Sequence, residues 1–206
     1  MHIRKTTFVS AIIIIGLLCI LTAGCKSSEA SSLSKEAQKL EKTLSGDNML
    51  HLKQVVELYD VQSSPVPHYY EMWMAKDKAY CRELDKEGNI LQKLQDDGKL
   101  HISYDPIELK AVKHDSSRIF ALYPGDLGDM KEYGVASEED YEYCKRACRA
   151  YSIGNGRDEE KMRLYVDEET GYVLFCDAPL FCIKTASFEV LPYDADMFSI
   201  PEGIRY

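Results

Sequence analysis

The sequence predicts an α+β domain built on one antiparallel sheet. Between residues 69 and 112, short β-rich runs are separated by turn signals about ten residues apart, the pattern of consecutive hairpins in a meander. Apolar residues also change from helical spacing at Ala37, Leu40 and Leu44 to strand alternation at Leu50, Leu52, Val56 and Leu58. Finally, Ser137-Glu138-Glu139-Asp140 reads as a capping box, so a second helix is expected.

The first helix spans 34–44, with Ser34 as its N-cap and Gly46-Asp47 as its stop. A half-buried strand follows at 50–58, where His51, Lys53 and Glu57 alternate with the apolar set, and Pro65 and Pro67 then break the chain. Strands are predicted at 70–74, 79–84, 90–94, 100–104 and 107–112, divided by the turns 75–78, 85–89 and 96–99. Residues 116–133, punctuated by Pro124-Gly125 and Gly128, read as loop with a short helix. The second helix is placed at 138–150, with acids in its first turn, Lys145, Arg146 and Arg149 in its last, and a stripe of Tyr141, Cys144, Cys148 and Tyr151. A hairpin of 163–166 and 172–176 flanks Asp167-Glu168-Glu169-Thr170-Gly171. Pro179 precedes strands at 180–183 and 187–191, and 197–203 closes the chain.

The N-terminus carries a separate message. His2, Arg4 and Lys5 precede an apolar run at 8–21, which ends in Leu21-Thr22-Ala23-Gly24-Cys25. This resembles a bacterial lipobox. The resemblance implies that 1–24 is a signal peptide, that Cys25 is lipidated, and that 25–33 is a Ser-rich tether to a single domain at 34–206. The alternative, an uncleaved anchor, has an apolar run shorter than the ~20 residues a spanning helix needs. Either way the domain works outside the cytoplasm, at the membrane surface. That surface is the cell membrane, or the outer membrane in a Gram-negative cell.

The formal net charge is −9, and it becomes more negative once Arg4 and Lys5 are removed. An acidic surface excludes nucleic acid, which needs a basic footprint. It also excludes a Lys/Arg grip on anionic lipid, so the acyl anchor must hold the protein at the membrane.

Nothing in the chain points to catalysis or a cofactor. There is no Gly-x-Ser-x-Gly, no His-Glu-x-x-His, no glycine-rich phosphate loop and no Cys-x-x-Cys. His51, His68, His101 and His114 share no spacing and read as surface residues. Asp167-Glu168-Glu169 reads as a solvated turn.

Setting aside Cys19 and Cys25 leaves Cys81, Cys144, Cys148, Cys176 and Cys182. Export favours oxidation, and Cys176 and Cys182 flank a turn, so they form the leading disulfide candidate. Cys144 and Cys148, one helical turn apart, could send one partner to that hairpin. A four-thiolate metal site and simple burial as small apolar groups are the other two readings.

Three segments, in order, are similar to the LolA-like superfamily of lipoprotein carriers, their receptors, a sigma-factor regulator and Gram-positive lipoproteins. They are Asp97-Gly98-Lys99-Leu100-His101-Ile102-Ser103-Tyr104-Asp105, Leu164 to Val173 with its Asp-x-x-Thr-Gly turn, and Phe198-Ser199-Ile200-Pro201-Glu202-Gly203. The resemblance covers roughly 33 to 203. It implies a strongly curved antiparallel half-barrel sheet, covered on its concave side by helices, with an apolar cavity between that accepts acyl chains in the carriers. Leu52, Val56, Met72, Met74, Leu100 and Ile102 are the expected lining. An ordinary packed core shows the same pattern, and both readings stand. Trp73, on the opposite face of its strand, reads as a surface or rim residue. The function implied is non-enzymatic, either a carrier that shields an acyl chain or lipoprotein, or an envelope sensor acting on a protein partner, of the sigma-factor-regulator or sporulation kind.

The lipobox makes a direct prediction. Cys25→Ala abolishes metabolic labelling of the protein with a fatty-acid analogue and leaves precursor or released protein. Undiminished labelling in that variant contradicts the assignment.

Overall fold

The structure, a computed structural model, describes residues 30–59, 64–114, 135–154 and 162–205. Cys25 and the loop expected at 116–133 lie outside the described residues. One helix, α1 (Ala30–Ser45), precedes eleven strands. These are β1 (Asn48–Leu58), β2 (Val66–Ala75), β3 (Lys78–Leu84), β4 (Ile90–Asp96), β5 (His101–Tyr104) and β6 (Ala111–His114), then β7 (Val135–Tyr143), β8 (Arg146–Ile153), β9 (Met162–Asp167), β10 (Val173–Ala178) and β11 (Phe181–Pro192). All pair antiparallel in one curled sheet ordered β6-β5-β4-β3-β2-β1-β11-β10-β9-β8-β7. The chain therefore makes two meanders, β1–β6 and β7–β11, joined along β1 and β11.

The helix predicted at 138–150 is instead the β7–β8 hairpin. Cys144 and Lys145 form its two-residue turn with φ of 55° and 60°, the left-handed pair that matches strand twist. The acids and bases that mimicked a helix dipole lie on the two strands of the hairpin, with Asp140 opposite Arg149 in register and Tyr143 opposite Arg146. Tyr141 and Cys148, read as one helical stripe, face each other across the hairpin. The expected cover of several helices is consequently reduced. Among the described residues α1 is the one α-helix, and it starts at Ala30, inside the segment expected to be tether.

Two smaller corrections follow from turn chemistry and a bulge. Residue Ile107 is not in a strand but in an Asp105 turn, where the Asp105 carboxylate accepts the amides of Ile107 and Glu108 at 2.7 and 2.8 Å. The strands expected at 180–183 and 187–191 are one strand, β11, whose register against β1 shifts between Lys53 and Gln54.

The two faces of the sheet are covered differently. On the helix side, Leu33 and Ala37 of α1 pack on Tyr151, Leu164, Val173 and Cys176. Leu40 and Leu44 pack on Leu50, Leu52, Met72 and Met74. One helix thus spans both meanders. On the other side the C-terminal segment lies over β2–β6. Phe198, in a short 3-10 turn (Asp196–Phe198), packs with Trp73 and Tyr80, and Ile200 and Ile204 pack with Ile102, Tyr104 and Ala111. The Gln95 side chain donates to the Ser199 carbonyl at 2.6 Å. Trp73 is therefore buried, 7% exposed, and stacks on Tyr80 and His51. Its strand face was read correctly, but the closing segment that buries that face is remote in sequence.

The Asp-x-x-Thr-Gly turn docks α1. Asp167 accepts two bonds from Arg146, at 2.7 and 3.0 Å, and two from Thr170, at 2.6 and 2.8 Å. Burial alone would raise the Asp167 carboxyl, but these donors hold it below the usual carboxylate range. The turn ends in Gly171 at φ +74°, pressed against the backbone of Glu36 and Leu40. Lys39 donates to the Glu168 carbonyl at 3.0 Å.

A methyl group at 171 meets both a left-handed backbone and the Glu36 carbonyl. Gly171→Ala is therefore expected to cost about 2 kcal/mol or more, read as a lower denaturation midpoint. An unchanged midpoint means that α1 does not depend on this turn.

Candidate functional site

The structure gathers part of the expected lining set and separates the rest. Leu52 lies directly opposite Met72, and Leu50 opposite Met74. With Val56, Cys81 and Leu94 they form one cluster beneath Leu40 and Leu44. Leu52, Met72 and Met74 are 0%, 1% and 2% exposed, so atoms of the protein itself fill their surroundings. Ile102 is on the other side. It pairs with Gln95, which continues through Tyr80 and Trp73 to His51, whereas Ser103 shares the face of Leu94 and Met72. Leu100 packs with Ile102 against Ile200 and Ile204. Alternation within that strand was read correctly, but hairpin register sets which face each set occupies, and a one-residue slip reverses it.

The helix face contains one polar interruption. Gln54, buried, donates to Thr185 Oγ1 at 3.0 Å and to the Tyr172 hydroxyl at 3.4 Å, and Tyr172 stacks on Phe188.

The cysteines are thiols, and register explains why the leading pair is not joined. Cys176 lies opposite Ile183 and Cys182 opposite Asp177, so the two side chains project to opposite faces of the β10–β11 hairpin. Cys144 sits in the β7–β8 turn and Cys148 faces Tyr141. Burial pushes the Cys81 and Cys176 thiols up, and Cys148 up to about 11. Among the described residues no group of three or more His, Cys, Asp or Glu is arranged to hold a metal ion.

Sequence reasoning missed the feature that stands out on the outer face of β7–β10. Tyr165 is opposite Phe175 across the β9–β10 hairpin, past a register shift between Val173 and Phe175. Their rings stack with centroids 4.7 Å apart. Tyr141 stacks on Tyr165 at 4.4 Å, and Tyr143 lies 5.7 Å from both Tyr165 and Phe175. The result is an aromatic ladder running from the middle of this meander to its edge strand. Tyr141 at its outer end is 48% exposed. The Glu57–Lys184 ion pair, at 2.9 Å, borders it on the inner side. The closing segment makes its described contacts over β2–β6, while Tyr143 and Tyr165, partly buried, pack against the cluster that includes Cys148, Tyr172 and Phe188, which leaves Tyr141 as the exposed end. The Tyr141-x-Tyr143 alternation that signals this face was hidden when 138–150 was read as helix.

No protein-family model and no curated protein sequence matches the chain. Solved structures do. The chain is similar to an uncharacterized conserved protein from Thermus thermophilus, with a TM-score of 0.56 and 11% identity, covering 84% of this chain and 97% of that one. It is also similar to MucB in complex with MucA(peri), with a TM-score of 0.50 and 13% identity, covering 84% of this chain. This chain spans about 60% of the MucB chain it matches. A LolA superfamily protein, NE2245 from Nitrosomonas europaea, aligns over 82% of this chain and 97% of that one at 7% identity and a TM-score of 0.42, and the fold comparison rests on the first two. At these identities the comparison shows a shared fold with the first two structures.

The geometry of the thiols gives a further prediction. Denatured, unreduced protein takes up one alkylating group at each of Cys81, Cys144, Cys148, Cys176 and Cys182, while Cys81 and Cys176 resist the reagent at neutral pH in the folded state. Mass spectrometry finding any pair protected in the denatured protein restores a disulfide.

Proposed function

We propose that the protein is a lipid-anchored, non-enzymatic lipoprotein at the extracytoplasmic face of the membrane, and that it docks a protein partner of the cell envelope on the aromatic face of β7–β10. The observation that carries this reading is the contrast between the two sides of the sheet. The helix face is filled by its own side chains, while Tyr141, Tyr143, Tyr165 and Phe175 form a stacked, half-open platform. Tyrosine-rich, rigid surfaces supply large contact area at small entropic expense and are enriched at protein interfaces. MucB, which shares the fold, was crystallised with the protein MucA(peri).

A second reading keeps the carrier role. It is favoured by Met72 and Met74 beneath a single helix, since Met adapts to variable apolar contents. An acyl chain bound among Leu52, Val56, Met72 and Met74 requires Leu40 and Leu44 to leave, so α1 would have to act as a lid.

One experiment separates the two. A photo-crosslinking amino acid replaces Tyr141 in the lipidated protein in its host, with Val112, exposed on the other meander, as the control position. The docking reading expects one identified envelope protein at 141 and none at 112, and expects Tyr141→Ala with Tyr165→Ala to weaken purified binding about tenfold or more. No adduct at 141, together with saturable binding of a fluorescent fatty-acid probe, transfers the function to the carrier reading.

A further inference from the structure

We infer that β7 is a docking edge, and that it accepts an extended, basic segment of the partner as an added strand. This rests on the docking reading above and specifies the chemistry of the partner.

The first observation is topological. β7 is the terminal strand of the sheet and pairs with β8 alone among the described residues. From Glu138 to Tyr143 its ladder with β8 runs without interruption, following a register shift between Ala136 and Glu138. In such a ladder every second residue turns its amide and carbonyl away from the neighbour, so the outer side of β7 offers a row of backbone groups that pair with no described residue. At nine residues β7 is longer than the other edge, β6, which has four.

The second observation is charge. Glu139, Asp140 and Glu142 are exposed, and none has an ion-pair partner among the described residues. Two basic side chains of the hairpin make ion pairs with the 167–169 turn. Arg146 binds Asp167 and Glu169, and Arg149 lies 3.5 Å from Glu168. The edge therefore presents net negative charge, with Glu139 and Glu142 opposite Ala150 and Ala147 and with Asp140 opposite Arg149. Glu139 shares the aromatic face with Tyr141, while Asp140 and Glu142 lie on the other.

Charge also decides between occupants. A second copy paired edge to edge would set Glu139, Asp140 and Glu142 against the same three acids across about 5 Å, which is repulsive. Charged edge strands are a common defence against such self-pairing. The same residues attract a strand that carries Lys or Arg, so the edge rejects its own kind and selects a basic one. Alternation then gives the incoming chain two roles. Its basic residues on one face approach Tyr141, where a cation can lie over the ring. Those on the other approach Asp140 and Glu142. Backbone bonds supply affinity and alternate side chains supply specificity, as in other cases of strand addition.

The test uses the soluble domain from residue 30 and a synthetic peptide of about ten residues that alternates Lys with Val and Thr, capped at both ends. Calorimetry or fluorescence anisotropy reads binding. The expected result is saturable binding that falls about tenfold or more in Glu139→Gln/Asp140→Asn/Glu142→Gln and weakens with added salt. It also falls about tenfold when alternate peptide nitrogens are methylated on the pairing edge, which blocks backbone bonding without changing charge. A Glu-containing counterpart does not bind. Absence of Lys-peptide binding overturns the inference. So does binding indifferent to N-methylation, which is charge attraction only. Dimerisation of the protein alone through this edge, abolished by a Pro in β7, assigns the edge to a second copy and also overturns it. A crosslinked partner at position 141 alongside a failed peptide assay leaves the docking reading intact and removes only the strand addition.

Discussion

The long antiparallel contact between β1 and β11 makes two meanders into one sheet. Each meander by itself is a set of hairpins with short loops, which sequence-local interactions specify. Through their ladder β1 and β11 bring the start and end of the domain together, with Asn48 opposite Pro192 and Leu58 opposite Phe181. Such a contact is expensive in loop-closure entropy and must be supported by burial. Helix α1 provides that support. It crosses the seam, with Leu33 and Ala37 on the β8–β10 side and Leu40 and Leu44 on the β1–β3 side. The Asp167-Thr170-Gly171 turn sets its height above the sheet. Leaving that turn's carboxylate unpaired would be costly, which is why Arg146 makes two bonds to it.

Burial of the remaining surface follows from how much chain is at hand. A single sheet has two faces, and one helix covers part of one. The segment after β11 covers the outer face of β2–β6 by setting Phe198 on Trp73 and Tyr80, and Ile200 and Ile204 on Ile102 and Tyr104. It runs toward β5 and β6, ending in a parallel bridge between Lys110 and Arg205, and so turns away from β7–β10. The aromatic ladder lies where the closing segment makes no described contact, with Tyr143 and Tyr165 partly buried and Tyr141 exposed. An open platform of stacked tyrosines on a rigid sheet costs little order on binding, unlike an apolar groove that a flexible lid must vacate. That difference is the physical ground for preferring a docked partner to a bound acyl chain.

Much of this architecture was legible because it is local. The hairpins from β2 to β5, the helix with Leu40 and Leu44 on one stripe, and the Asp-x-x-Thr-Gly hairpin all follow from periodicity and turn residues. What failed was non-local or degenerate. At 138–150, acids followed by bases satisfy both a helix dipole and a hairpin with crossed charges, and only the left-handed pair at Cys144 and Lys145 settles the matter. Neither residue is a glycine or asparagine, so the turn carried no signal. Ile102 was assigned the wrong face because the phase between strands depends on register at Leu94 and Ser103, which alternation within one strand does not contain. Cys176 and Cys182 are close along the chain, yet the parity of a two-residue turn sends them to opposite faces. The aromatic face was invisible as long as β7 was read as helix.

The start of α1 bears on how the edge would meet a partner. The helix begins at Ala30, so under the proposal that Cys25 carries the lipid, at most about 18 Å of chain would separate the bilayer from the first turn. The helix then enters beside Tyr151, Ile153 and Met162, through Leu33. Ile153 pairs with Val135, which puts the first residue of β7 at the same end of the sheet and Tyr143 at the far end. An acidic strand held close to a membrane is repelled by anionic headgroups rather than adsorbed on them. Repulsion keeps Glu139, Asp140 and Glu142 in solution, where a cationic segment that is itself drawn to the anionic surface becomes concentrated beside them. Anchoring and edge charge thus act in the same direction. Under the proposed anchoring, the lipid would confine the protein to a layer in which basic, extracytoplasmic chain is enriched, and the charge on β7 would discriminate among the chains found there.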